Sequence, residues 1–85
     1  MKRYQLSYRK FGSYNNEGHE VIEADSLLEA AKAYLQANRN ISGCTLQEDP
    51  VASSGVDYQA IYIAKQGDGR QIAIHVRNHD YVYVW

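Results

Sequence analysis

The chain has almost nothing to hold it together covalently. Its 85 residues include one cysteine, Cys44, so no disulfide can close within it and a disulfide-framed secreted scaffold is excluded. A single proline, Pro50, excludes polyproline and collagen-like architectures. No apolar run approaches the roughly eighteen residues of a membrane-spanning helix, and no leader-like segment is visible, so the expected setting is a reducing cytoplasm without membrane contact. Charge of one sign is also missing. Nine Lys and Arg against ten Asp and Glu leave a formal net charge of −1, which lacks the strongly basic field of a dedicated nucleic-acid binder and the acidic field of a DNA mimic. With one Phe and one Met, the apolar mass must come from aliphatics and from eight tyrosines beside a single Trp. Tyr and Trp join a large apolar body to a polar handle, and so suit surfaces that are sometimes wet and sometimes covered.

The composition, 45% hydrophobic and 22% charged, is that of a globular chain, and its length allows one domain, residues 1–85, with one core. Residues 2–10 (KRYQLSYRK) alternate, with Tyr4, Leu6 and Tyr8 on one side and Arg3, Gln5, Ser7 and Arg9 on the other, the period of a half-buried strand. The segment Gly12–Gly18 is dense in residues that tolerate turns and positive φ, and HEVIEA (19–24) reads as the returning strand of a hairpin. Ser26 followed by Glu29 fits a capping box, and SLLEAAKAYLQAN carries an apolar stripe of Leu27, Leu28, Ala31, Tyr34 and Leu35, which predicts a helix over about 26–38. A strand over 41–48 with Ile41, Cys44 and Leu46 as its apolar members, a loop over 49–55, and a meander of strands 57–65, 70–76 and 81–85 complete the chain. The expected fold class is α+β: a ββαββββ two-layer sandwich with one helix packed on a mainly antiparallel sheet.

If the helix covers one sheet face, the aliphatic parity of each strand belongs beneath it: Leu6 with Tyr4 and Tyr8, Ile61 and Ile63, Ile72, Ile74 and Val76, Val82 and Val84. The opposite, uncovered face then carries Tyr58, Ala60, Tyr62 and Ala64, followed by Ala73, His75 and Arg77, by Tyr81, Tyr83 and Trp85, and by Arg3 and Arg9 from the first strand. A contiguous aromatic patch rimmed by arginines matches the residue types that dominate interface hot spots. The expected partner-binding residues are therefore Arg3, Arg9, Tyr58, Tyr62, His75, Arg77, Tyr81, Tyr83 and Trp85. The competing account is that outward tyrosines are simply good strand formers engaged in cross-strand pairs.

Catalytic and metal chemistry find little to rest on. Cys44 has no local signature of an activated nucleophile and reads as a structural thiol. His75 and His79 lie four apart on a strand and its turn instead of on a helix face, and with Cys44 would make only a conceivable three-ligand site, so neither metal nor cofactor is expected. Gly67-Asp68-Gly69 joins two strands and offers no helix N-terminus to phosphate, so it reads as a hairpin turn. No acid/base constellation is evident, and an enzymatic function is not expected. Nucleic-acid binding is the alternative: aromatics on an open sheet stack bases, and Arg3, Arg9, Lys65, Arg70 and Arg77 could meet phosphates.

The layout of a chain opening MKRYQL, a turn-rich hairpin, a strand running into EADSLLEAAKAYLQ, then a loop and a β-meander resembles the small phage and mobile-element anti-CRISPR proteins of the ββαβββ type. The resemblance implies a non-catalytic inhibitor that docks on a subunit of a crRNA-guided type I surveillance complex. It carries over no functional residue, since no diagnostic motif is shared. A protein complex is thus the first expected partner, with nucleic acid the alternative and a second copy of the chain a further candidate.

Overall fold

The computed structural model describes residues 1–54 and 58–79. The elements run β1 (Lys2–Lys10), β2 (Glu17–Ala24), α1 (Leu27–Ala37), β3 (Thr45–Leu46), β4 (Ala52–Ser54), β5 (Gln59–Lys65) and β6 (Gln71–Asn78). All pairings are antiparallel, in the order β2-β1-β6-β5-β3, with β4 also paired to β5. One helix lies on one face of this sheet, as expected for a small α+β fold. The expected strand over 81–85, with Val82 and Val84, lies outside the described residues, as do Tyr81, Tyr83 and Trp85.

The β1–β2 hairpin forms because β1 alternates, and because glycines occupy the two positions that need positive φ, Gly12 at 88° and Gly18 at 63°. Gly18 sits where the β1–β2 register shifts between Leu6 and Tyr8, a bulge in the edge strand. Helix α1 begins where the capping box places it. The Ser26 hydroxyl accepts the Glu29 amide at 3.2 Å, and at the far end the Asn38 amide donates to the Tyr34 carbonyl. Ala30, Ala31, Tyr34 and Leu35 are its buried residues, with Leu27 and Leu28 half-buried against the core.

Two expectations fail between α1 and β5. The strand expected over 41–48 shrinks to Thr45–Leu46, and a short strand, β4, appears in the expected loop. The Asn38 side chain accepts the Asn40 amide, and Ile41 N–H and Cys44 N–H donate in turn to the carbonyls of Asn38 and Ile41, so successive tight turns consume the backbone groups a strand would need. Ile41 still reaches the core, where it is 1% exposed, but from a turn.

The larger correction concerns β5. Register pairs Tyr62 with Ile74, Ala60 with Val76 and Ala64 with Ile72, while Leu6 and Tyr8 of β1 pair with Val76 and Ile74. Residues directly opposite share a face, so Tyr62, Ala60 and Ala64 lie beneath the helix, and Ile61 and Ile63 face away from it. Tyr62 is 4% exposed and Ala64 0%, whereas both isoleucines are only half-buried. The reason is volume. Ala60 and Ala64, with Ala30 and Ala31 on the helix, are small enough to bring the layers together, and Tyr4, Tyr8, Tyr34 and Tyr62 fill the space around them.

Candidate uncovered-face binding site

The face turned away from α1 is built by the residues of opposite parity on four strands. Register sets Ser7 opposite His75 and His75 opposite Ile61, which makes one row across β1, β6 and β5. A second row runs Val21, Gln5, Arg77, Gln59, and a third runs Arg9, Ala73, Ile63. Arg3 extends the face beside Glu23, and Lys65 closes it opposite Gln71. Arg3, Arg9, His75 and Arg77 therefore share the face expected of them. Tyr58, half-buried just before β5, passes its carbonyl to the Asn78 amide, and Tyr62 is removed from the face to the core. Of the expected aromatic patch, none of the three C-terminal members lies among the described residues. In the described part the uncovered face is cationic and polar, not aromatic.

Exposed aromatics occur instead at the β1–β2 tip, where Phe11 is 87% and Tyr14 94% exposed. They line, with Arg9, Ile63 and Ala73, an open cavity of about 310 Å³ that continues the uncovered face. Phe11 was legible in principle. It shares the odd parity of Arg9, and its amide extends the ladder to the Gln71 carbonyl at 3.3 Å. Tyr14 has no such signal, because the turn that carries it obeys no strand period.

A second cavity, of about 330 Å³, opens between β1, β6, β5 and the start of β2, lined by Gln5, Ser7, Asn16, His19, Gln59, Ile61, His75 and Arg77. Ser7 is 7% exposed there, and His75 Nε2 is buried without a hydrogen-bond partner among the described residues. Burial first, and then the charges of Arg9 and Arg77, hold the His75 pKa below the ordinary histidine value, so its ring is neutral at pH 7.

Elsewhere the chemistry is quiet. Burial pushes the Cys44 thiol up, with Asp68 adding to the effect, which disfavours a reactive thiolate. Among the described residues no three His, Cys, Asp or Glu side chains come together as a metal cage. The Gln66–Arg70 segment is a hairpin turn, closed by Gln66 N–H to the Arg70 carbonyl at 2.8 Å and by an Asp68–Arg70 ion pair at 2.8 Å. No helix of the described residues is long and apolar enough to cross a membrane. Family models, curated proteins and solved structures were all compared with the chain, and none of the three comparisons gave a match.

Proposed function

We propose that the chain is a non-catalytic binding module that docks an acidic protein surface on its uncovered sheet face. The observation that carries this reading is charge segregation. Among the described strand residues, register places Arg3, Arg9, Lys65 and Arg77 on that face with Glu23 the one acid there, in a chain whose net charge is −1. Such a face steers an oppositely charged partner and rejects like-charged ones. The absence of a matched nucleophile and base among the candidates weighed above supports binding over catalysis. The resemblance of the sequence's layout to ββαβββ anti-CRISPR proteins makes a subunit of a crRNA-guided type I complex the first partner to test.

A second reading has its own support, because Phe11 and Tyr14 stand exposed beside Arg9 and Lys10 and could stack single-stranded bases. The two separate in one experiment. Purified effector subunits and a single-stranded oligonucleotide are each titrated against the chain and its Arg9→Glu/Lys65→Glu variant across a salt series. The proposal expects subunit binding, weakened at least tenfold by the double reversal and moderately by rising salt. Oligonucleotide binding alone, falling steeply with salt, supports the second reading.

A further inference from the structure

We infer that the cavity between β1, β6 and β5 seats one aspartate or glutamate side chain of the partner, whose carboxylate accepts a hydrogen bond from His75 and lies beside Arg77. This deepens the reading that an acidic protein surface docks here, and rests on it. Three observations converge. The cavity, about 330 Å³ and open to the uncovered face, is large enough to admit one side chain. Its lining supplies donors and no acid among the described residues: Ser7, Gln5, Gln59, His19, His75 and Arg77. Among the described residues His75 Nε2 is buried without a partner, and a buried polar atom left unpaired is unfavourable until something pairs it.

The charged and titratable groups around His75 can be named from each neighbouring element. Strand β1 sets Ser7 opposite it and Arg9 diagonal to it, β5 sets Ile61 opposite with Gln59 diagonal, β6 carries Arg77 two residues on, and His19 of β2 lines the same cavity. Burial first, and then the charges of Arg9 and Arg77, disfavour a charged imidazole in the free protein. An entering carboxylate reverses that balance, because an opposite charge within hydrogen-bond reach favours the imidazolium. Binding then takes up one proton from solvent. Affinity therefore rises as pH falls through the His75 value of the complex, and levels off below that of the free protein.

The test uses the isotopically labelled full chain and three probes: capped tetraglutamate, inorganic phosphate and oligo(dT). The expected result is that tetraglutamate moves the ring signals of His75 and the amide of Ser7 and displaces the His75 titration midpoint upward. Peptide affinity should then grow about tenfold for each unit of that displacement as pH falls from the midpoint of the complex to that of the free protein. In His75→Gln the pH dependence should vanish while binding persists, and in His19→Gln it should remain, with melting curves confirming that both variants fold. Peptide binding that leaves the His75 midpoint unmoved overturns this inference and leaves the docking reading standing. No peptide binding at low salt overturns the docking reading itself. Phosphate displacing the midpoint as far as the peptide does overturns the assignment to a carboxylate side chain, and oligo(dT) binding in place of peptide turns the face to nucleic acid.

Discussion

A methyl group added at Gly18 would lie 2.7 Å from Tyr34 Oη, 2.8 Å from Tyr8 Cε1 and 2.9 Å from Asn38 Nδ2, on a backbone held at φ 63°. At Gly12, with φ 88°, the same methyl meets nothing within 4 Å. The pair separates backbone strain from crowding. Gly12→Ala should cost about 1–2 kcal/mol from strain alone, while Gly18→Ala adds an overpacking term of roughly 1–3 kcal/mol. Thermal melting of both checks this, and equal losses would mean that Tyr34 and Tyr8 yield freely. Tyr34 is itself anchored here, its hydroxyl donating to the Gly18 carbonyl at 2.6 Å and its ring tilted 49° to Tyr8 at 6.4 Å. Burial, with the nearby carboxylates Glu20 and Glu17 among the smaller causes, pushes its pKa up to about 12, so in an ultraviolet titration Tyr34 should ionise at about 12, with stability falling as pH rises from about 10 through that value. At the acid side the sign reverses for His75. Its folded pKa is depressed, so the unfolded chain holds that proton more tightly, and stability is complete above about pH 6.5 and declines below it. His75→Gln should flatten the fall in Tm between about pH 7 and about pH 5, and an unchanged profile would place the titrating group elsewhere. The glycines of the tip were readable in the sequence as positive-φ positions; the crowding at Gly18 was not, because it is made by Tyr34 and Asn38, sixteen and twenty residues on, together with Tyr8.

At the scale of elements, legibility followed local chemistry. Strand β1 and helix α1 could be read because alternation and a capping box are written in adjacent residues. Strand β5 was legible as a strand but not as to its faces. QAIYIAK alternates isoleucine with alanine and tyrosine, and either parity makes an acceptable core. The decision belongs to register: the β5–β6 hairpin sets Tyr62 opposite Ile74, and β1 sets Ile74 on the face of Tyr8. Its consequence is measurable. Tyr62→Ala should destabilise by roughly 3–5 kcal/mol, as aromatic truncations in cores do, whereas Ile63→Ala on the half-buried uncovered face should cost less than about 2 kcal/mol. The reverse ranking in denaturant melts would return the tyrosine to the surface. For the binding site the same flip matters more: moving Tyr62 inward is what leaves Arg9, His75 and Arg77 to define the described face.

Over the whole molecule, the order β2-β1-β6-β5 puts the first and last described strands side by side at the centre of the sheet. No local pattern announces that closure, and so strand order was the part of the fold the sequence could not supply. It also sets how stability is distributed. Strand β6 pairs along its length with β1 and β5 and buries Ile72, Ile74 and Val76, whereas β3 pairs only at Thr45 and Leu46 and β4 only at Ala52 to Ser54. Among the described strands β2 is outermost, is mostly exposed and carries Glu17, Glu20 and Glu23, charges that discourage another chain from adding to it. Native-state hydrogen exchange should therefore show β1 and β6 amides opening only with global unfolding, and responding to denaturant with the full slope of the equilibrium transition. Amides of β3 and β4 should exchange earlier, through local opening with little denaturant dependence. The residues of the uncovered-face cavity hang mainly on the two slowest strands, which suits a preformed site, because a rigid arrangement of Ser7, His75 and Arg77 loses little order when a partner arrives. If β6 exchanged as fast as β3, the face would be assembled only on binding, and the proton linkage at His75 would have to include the free energy of ordering the sheet.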